Sequence, residues 1–553
     1  MSRTTRTTRT TRTIRDRWPA AGGSVLAAAA VLAVTAAPVQ AAPLPRDTVR
    51  VSTGLNGALP DNQSWSKGVS ADGHYALFTS WATNLVSQPA GSARDAYVRD
   101  LRTGRTERVN LADDGSALNG FTDYVAINAD GRYVAFESDA ENVVPGLPVP
   151  GRTEVYLRDR RTGRTELVSG APAATDSDKF HASYAPSISA NGRYVAFVSA
   201  RTDLVPGLAP GPQGDGPSLA RPYTWDYNVY LTDRWTGKTR LVSLGVDGKP
   251  GDSMSLNPTI SADGRTIGFT SFADNLVPAE QTPALTAPAA EAAASARAAT
   301  NPAATNPAAT NPAAAIPAAT DVEQAPGADR ALPRSLREGA AKANLSRPTT
   351  GTYYTYDVAS GRISAASLDL DGKLGAAGFD ATISPDGRRA VYALPEPGGS
   401  TNGHRYHLVL YVRDLRKGTV TKVSGGLPGT ASVGTSDHGS ITADNRWIYF
   451  SSAADNLVAG PQHPGWDVYR QDLRTGRTER VATAPDGSSG NGSSIDPSVD
   501  ARGRAVVFGS TSGNLVAGTT GPAGEGYQVF ARTDGHHGDE NGDGDDQGQD
   551  EDR

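Results

Sequence analysis

A unit of about sixty residues occurs seven times in this 553-residue chain and constrains its fold more than any other feature. In one copy, Ser187–Gly207, it reads SISANGRYVAFVSARTDLVPG. One turn residue marks each copy: Asp72, Asp130, Asn191, Asp263, Asp386, Asp444 and Arg502. The markers are 58, 61, 72, 123, 58 and 58 residues apart. Such a period predicts a repeat fold, in which each unit packs on its neighbours.

Each copy has four segments with the pattern of β-strands. The first ends at an apolar residue such as Ile188, and a polar-Gly turn leads to the second, such as Tyr194–Phe197. Asp, Asn and Gly tolerate positive φ, so this turn predicts a tight hairpin. The third segment ends in Asp, as in Val155–Asp159, and a T-G-R turn leads to the fourth. The pattern therefore predicts four-stranded antiparallel sheets joined by loops.

The count of fourth strands indicates how the array closes. The seventh copy has a third strand at Val529–Arg532 and no fourth strand after it. Asp47–Ser52, which reads DTVRVS, has the fourth-strand pattern and precedes the first copy. We therefore predict an all-β, seven-bladed β-propeller over residues 42–533, closed by an N-terminal strand that completes the last blade. An open β-solenoid is the alternative architecture.

Residues 279–348 interrupt the fourth copy. They are rich in Ala and Pro and include NPAATNPAATNPAAA. This composition cannot bury a core, so it predicts a disordered insertion between the second and third strands of blade four. A glycosylated or partner-binding loop is the alternative interpretation.

The N-terminal residues have the pattern of a secretory signal peptide. Residues 1–41 contain six Arg and one Asp, then an apolar Ala-rich run, then small residues at the expected cleavage spacing. This pattern predicts removal of residues 1–41 and secretion of the remainder. A basic nucleic-acid-binding arm is the alternative for the Arg-rich part.

Charge and cysteine content exclude several classes. The sequence has no cysteine, which rules out disulfides, thiolate zinc sites and a lipid anchor on Cys. The net charge is −6, and residues 534–553 contribute nine acidic residues against one Arg, so no basic field indicates nucleic acid. We expect a secreted monomer without a membrane anchor, whose partner is a protein or an extracellular polymer.

The repeated motifs resemble those of a known family. SISADGRYVAF-like and NLVPG-like segments, followed by DVYVRDLRTGRTERVS-like segments, resemble the TolB-like, WD40-like propeller repeats of secreted bacterial proteins. The resemblance covers residues 47–533 apart from the insertion. It implies a propeller that serves as a binding scaffold, as a gating domain of a peptidase, or as a lyase. The sequence has no G-x-S-x-G motif of a hydrolase domain.

One position of the repeat supplies candidate ligand-binding residues. Six residues before each marker, where the innermost strand begins, the copies place Ser66, Tyr124, Ala185, Asn257, Asp380, His438 and Asp496. Pseudo-symmetry predicts that these side chains lie at one level around the central channel. Asp380, His438 and Asp496 come from adjacent blades, and Asp123 and Asp437 lie one position earlier. Carboxylate and imidazole groups together bind a divalent cation or polar ligand, or transfer protons. A solvated channel rim is the alternative.

The C-terminal tail and three other histidines give two further predictions. Asp539, Asn541 and Asp543 have the spacing with which a calcium loop begins, and an acidic disordered tail over residues 534–553 is the alternative. His181, His404 and His407 are expected in solvent-exposed loops.

These observations favour a secreted, non-enzymatic propeller that binds a protein or ligand through its channel face. The alternative function is a metal-dependent, channel-centred enzyme such as a polysaccharide lyase. The sequence predicts no catalytic residue and no cofactor other than the calcium candidate.

Overall fold

The chain forms seven four-stranded antiparallel sheets arranged as the blades of a β-propeller. The structure is a computed structural model, and it describes residues 46–87, 94–147, 149–171, 175–178, 180–208, 227–278, 351–377, 380–397, 406–427, 430–431, 433–460, 465–517 and 526–534. The predicted signal peptide and insertion lie outside these residues, as does the predicted acidic tail except for its first residue, Asp534, which ends the last strand. Among the described residues, no helix is long and apolar enough to cross a membrane.

Twenty-eight strands and one 3-10 turn (Leu55–Gly57) make up the regular structure of the described residues. The first fifteen strands are β1 (Arg46–Arg50), β2 (Ser64–Val69), β3 (Tyr75–Ser80), β4 (Asp95–Asp100), β5 (Thr106–Arg108), β6 (Val125–Ile127), β7 (Tyr133–Ser138), β8 (Glu154–Asp159), β9 (Arg164–Leu167), β10 (Ser183–Ile188), β11 (Tyr194–Ser199), β12 (Asn228–Asp233), β13 (Lys238–Leu241), β14 (Ser255–Ile260) and β15 (Thr266–Ser271). The others are β16 (Thr352–Asp357), β17 (Ile363–Ala365), β18 (Thr382–Ile383), β19 (Arg389–Pro397), β20 (Tyr406–Asp414), β21 (Val420–Lys422), β22 (Ser436–Ile441), β23 (Trp447–Ser452), β24 (Asp467–Asp472), β25 (Thr478–Arg480), β26 (Ser494–Val499), β27 (Ala505–Ser510) and β28 (Gln528–Asp534).

Blades one to six each use four consecutive strands, from β2–β5 to β22–β25. Blade seven has the order β26-β27-β28-β1, so the N-terminal strand completes the last sheet as predicted. In this ladder Val49 lies opposite Ala531 and Arg50 lies opposite Phe530. The ring is closed, and the open solenoid alternative is wrong.

The closing strand makes the same serine-to-backbone hydrogen bond as the fourth strand of an ordinary blade. The residue two positions after β13 is Ser243, whose Oγ accepts the N–H of Val229 at 3.0 Å. In blade seven, Ser52 Oγ accepts the N–H of Val529 at 3.0 Å, although the two residues are 477 positions apart. The closure therefore reproduces the local chemistry of an ordinary blade.

The hydrophobic core lies between neighbouring blades. Leu77 and Val98 of blade one pack with Phe136 and Tyr156 of blade two in one buried cluster. The alternating pattern of each strand directs side chains to both faces of its sheet, and each face is covered by the next blade. Burial of this kind stabilises a chain that has no cysteine for disulfides.

Strand direction divides the propeller into two faces. The turn face consists of the short turns 70–74, 101–105, 128–132, 160–163, 189–193, 234–237, 261–265, 358–362, 384–388, 415–419, 442–446, 473–477 and 500–504. The mouth face consists of the opposite ends of the strands, with the loops that follow each second and fourth strand. The innermost strands begin on the mouth face, so the candidate ring lies there.

A tyrosine packs against a turn glycine at several blade junctions. A Cβ atom on Gly192, which has φ of +70°, would lie 2.4 Å from Cδ2 of Tyr133 in the preceding blade. The guanidinium of Arg234 lies over that ring, 4.7 Å from its centroid, and donates to the carbonyl oxygen of Gly192 and to Glu166. This junction therefore needs glycine for its backbone angle and also for space.

We expect Gly192→Ala to destabilise the protein more than Gly237→Ala. Gly237 has φ of +66°, and a Cβ atom added to it would meet nothing within 4 Å, so its substitution measures backbone strain alone, roughly 1–2 kcal/mol. Gly192→Ala adds the clash with Tyr133, about 1–3 kcal/mol more. Urea unfolding midpoints measure both changes. Equal effects would contradict the packing role of this glycine.

Candidate functional site

The innermost strands carry an unusual backbone conformation at the level of the candidate ring. Ala185, Asn257, His438 and Asp496 have φ of 51°, 51°, 50° and 55°, in the left-handed region that residues other than Gly rarely adopt. The pairing of each of these strands with the next shifts register at this point, for example between Asp437 and Ser440. The position counted from the sequence markers is therefore a β-bulge in four blades, and bulges redirect side chains.

Four of the predicted residues meet at the channel mouth, and we call them the acidic centre: Asp380, Asp437, His438 and Asp496. The Nε2 atom of His438 lies 3.2 Å from Asp380 Oδ1 and 3.3 Å from Asp496 Oδ1. Its Nδ1 atom lies 2.8 Å from Asp437 Oδ1. One imidazole thus contacts three carboxylates from three successive blades.

Burial and charge determine the protonation of this centre. The His438 side chain is 24% exposed, and that of Asp437 is 4% exposed. Burial alone lowers the pKa of His438, but the charges of Asp380, Asp437 and Asp496 outweigh it and raise the pKa well above its ordinary value of 6.5. The imidazole is therefore a cation at neutral pH, held by three acidic side chains.

The acidic centre also has the donor set of a metal site. Asp380, Asp437 and His438 each offer one ligand atom, and these atoms lie within 4.8 Å of one another. Carboxylate oxygen with imidazole nitrogen suits divalent transition metals such as Mn²⁺ and Zn²⁺. A metal would replace the proton on the imidazole, because the ligand is neutral histidine. The residues present therefore fit either a bound cationic group or a divalent ion.

The remaining candidate residues belong to other surroundings. Asp123 accepts from Lys67 Nζ at 3.0 Å and pairs with Arg94 at 2.6 Å. Tyr124 has Lys67 Nζ over its ring at 5.7 Å and lies 6.1 Å from the ring of Tyr184. Blades one to three thus bring together two cations, the Asp123 carboxylate and two tyrosine rings, whereas the acidic centre is built from blades five to seven. Asn257, of blade four, shares the left-handed backbone.

Glu137 is a functional candidate that the sequence reasoning missed. It lies near the end of β7, is 6% exposed, and accepts the N–H of Ala185 at 3.3 Å. Burial first, and then the nearby charge of Asp123, raises the pKa of Glu137 to about 8. The equivalent residue of blade one is Thr79 and that of blade three is Val198, so the sequence signal was a single acidic exception in a repeated strand.

Two histidines are not where the sequence placed them. His407 was expected in an exposed loop, but it lies in β20 and is 2% exposed, because β19 and β20 extend over nine residues each. His181 is half-buried and pairs with Asp176 at 2.8 Å. His404 and the calcium candidates Asp539, Asn541 and Asp543 lie outside the described residues.

The fold is similar to several solved structures. Oligogalacturonate lyase from Vibrio parahaemolyticus has 10% identity and a TM-score of 0.42, with 89% of this chain and 97% of that chain covered. A putative TolB from Agrobacterium tumefaciens has 12% identity and a TM-score of 0.32, with coverage of 71% and 94%. Acylaminoacyl peptidase from Pyrococcus horikoshii has 11% identity and a TM-score of 0.40, with coverage of 81% and 49%. This chain thus spans about half the length of the peptidase.

No family model matches the sequence, and no curated protein matches it.

Proposed function

We propose that this chain is a secreted, non-enzymatic propeller that binds a partner protein through the mouth face, with a basic group of the partner in the acidic centre. The observation that carries the proposal is the convergence of Asp380, Asp437 and Asp496 on one site at the channel mouth. Three carboxylates and one imidazolium leave a net negative site, which favours a lysine or arginine side chain.

The composition of the mouth face as a whole also supports a protein partner. The seven loops that join each fourth strand to the next innermost strand contain twelve Asp and three Lys. Seven of the nine exposed large apolar side chains in the described residues also lie on this face: Leu55, Leu59, Trp81, Phe180, Leu244, Val246 and Leu370. A face that carries both exposed apolar groups and acidic groups fits a partner surface that is basic and apolar.

We expect peptides that combine Lys or Arg with Leu or Phe to bind the wild-type protein in calorimetric titration. Asp380→Asn/Asp496→Asn should weaken the binding at least tenfold, because the site loses two charges next to the basic group. Asp113→Asn/Asp486→Asn removes two acids from loops of the same face and serves as the control. An equal loss in both variants would refute a specific role for the acidic centre.

The alternative function is a metal-dependent enzyme that acts at the same site, as a lyase or another channel-centred catalyst. The ligand atoms of Asp380, Asp437 and His438, which lie within 4.8 Å of one another, favour it. Titration of metal-free protein with Mn²⁺, Zn²⁺ and Ca²⁺ separates the two functions. Binding of one ion per chain that His438→Asn abolishes would support the enzyme, whereas peptide binding without a metal would support the scaffold.

A further inference from the structure

Backbone hydrogen bonds join the inner turns of neighbouring blades around the channel on the turn face. At five junctions the residue before the marker donates its N–H to the carbonyl oxygen of the equivalent residue in the next blade. Ala190 donates in this way to Ala262 at 2.9 Å, and Ala262 donates to Pro385 at 2.7 Å. Between blades one and two the marker Asp72 itself donates, to Ala129 at 3.2 Å. Six of the seven junctions therefore carry such a bond.

The junction between blades five and six is the exception. Its donor position is Pro385, which has no N–H, whereas the other six blades have Ala there. Among the described residues, no backbone hydrogen bond joins these two turns. Asn445 of blade six replaces the glycine that the other blades have two residues after Ala or Pro, or three in sequence from the turn's first residue, and its Nδ2 donates to Asp386 Oδ2 at 2.7 Å. One side-chain contact thus takes the place of the backbone bond.

Blade five also has the shortest innermost strand in the described part of the chain. Strand β18 pairs with β19 only through Thr382 and Ile383, whereas the innermost strands of five other blades span six residues. Asp380 precedes β18 at the mouth end of the junction, and its partner His438 lies in β22. The two innermost strands therefore connect the acidic centre with the turns that lack the backbone bond.

The outer part of the same junction is well packed. Val391 and Leu410 of blade five form one buried cluster with Ile448 and Phe450 of blade six, and each of these side chains is at most 1% exposed. Burial of this kind keeps the two blades together away from the channel. A weakness of the junction is therefore confined to its inner end.

We propose that the ring opens between blades five and six, by separation of β18 and β22 at the turn face. Local opening is easiest where few hydrogen bonds hold a segment, and the absence of one bond of ordinary strength raises the opening equilibrium about fivefold. Asp380 and His438 belong to the same two segments, so the separation changes the distance between them. The junction is thus a conformational device that links the turn face with the acidic centre.

The test is amide hydrogen exchange of the full chain, followed by mass spectrometry of peptides that contain the inner turns. After correction for intrinsic rates, turns 384–388 and 442–446 should exchange about fivefold faster than turns 189–193 and 261–265 of blades three and four. The bonds within the turns of blades five and three are matched, since Gly387 donates to Ser384 at 2.8 Å and Gly192 donates to Ser189 at 2.9 Å. A difference between them therefore reports the junction.

Two substitutions change the junction in opposite directions, and each is read in the turn across from it. Pro385→Ala supplies the missing donor and should slow exchange in 442–446 about fivefold. Asn445→Gly restores the repeat glycine but removes the bond to Asp386, so exchange in 384–388 should become faster. Because the turn that is read is not substituted, a local backbone effect of the new residue does not account for either change.

Ala190→Pro is the matched transfer of the same feature to another junction. The sequence Ser189-Ala190-Asn191-Gly192 is equivalent to Ser384-Pro385-Asp386-Gly387, so proline fits this turn, and exchange in 261–265 should become about fivefold faster. Equal exchange of all four turns in the wild-type protein would overturn the proposal. Unchanged exchange in 442–446 after Pro385→Ala, or changes confined to the substituted turns, would also overturn it.

Discussion

Deletion of residues 42–52 is expected to destabilise the propeller by on the order of 5 kcal/mol, because it removes the strand that closes the ring. Val51, which is fully buried, packs with Val507, Val529 and Ala531 of blade seven and donates its N–H to Val529 at 2.8 Å. The ladder between β1 and β28 is lost as well. The deletion also exposes β28 as a sheet edge, so we expect aggregation at lower temperature.

Thermal and urea unfolding measure this loss of stability. Two single substitutions test whether one hydrogen bond of the closing strand contributes to it. Ser52→Ala and Ser243→Ala remove the same hydrogen bond from the closing strand and from a continuous blade. Each should cost roughly 1–2 kcal/mol, because a buried backbone N–H loses its acceptor. A truncation after Asp534 keeps every strand and should leave the midpoint unchanged. An unfolding midpoint within 2 °C of wild type after deletion of 42–52 would contradict closure by β1.

The architecture was predictable because each blade repeats local information. Three features can be recognised from the local sequence alone, without knowledge of tertiary contacts. They are the turns at the markers, the strand alternation and the missing fourth strand of the last copy. The permuted closure followed from that count, and the pairing of Val49 with Ala531 has the predicted connectivity. Strand lengths were harder to predict. The hairpin of β19 and β20 extends beyond the repeat because Tyr406–Val409 continues the strand, and this extension buries His407.

The candidate site was predictable only in part. Counting from the markers brought Asp380, His438 and Asp496 to one level, because the repeat places equivalent residues at equivalent heights. The same count put Asp123 beside them, but Asp123 pairs with Lys67 and Arg94. Those contacts are made between residues of different blades, and the sequence of one repeat does not indicate which residues of the next blade it contacts. Glu137 stands out in the sequence as the one acidic residue at its strand position, but its burial near Asp123 comes from contacts that the repeat does not indicate.

The acidic centre yields the second large effect, a pH-dependent loss of stability in His438→Asn. Asparagine suits the left-handed backbone, and Asn257 occupies the equivalent position of blade four with φ of 51°. The substitution therefore removes the cation without new backbone strain. It leaves Asp380, Asp437 and Asp496 close together without their shared cation, at a cost of about 3 kcal/mol near pH 6.

The pH dependence has a definite sign. The folded protein holds the His438 proton more tightly than the unfolded chain, since the three carboxylates raise the pKa of His438 well above 6.5. Its contribution to stability is therefore present at about pH 6.5 and is lost as the pH rises through the raised pKa. Below about pH 6 it weakens again, because burial raises the pKa of Asp437 to about 6 and this carboxyl group then takes up a proton. Wild type and His438→Asn should thus differ most near pH 6 and converge at alkaline pH. Urea midpoints at pH 6, 7.5 and 9.5 measure this convergence.

A second histidine provides the control for this result. His74 pairs with Asp72 at 3.2 Å, but their side chains are 38% and 32% exposed. His74→Asn should change the free energy of unfolding by less than about 0.5 kcal/mol at any of these pH values, since exposed pairs contribute little. If His438→Asn differs from wild type equally at pH 6 and pH 9.5, its effect comes from packing. If the difference becomes smaller as the pH rises, the effect of His438→Asn comes from the loss of the positive charge between Asp380, Asp437 and Asp496.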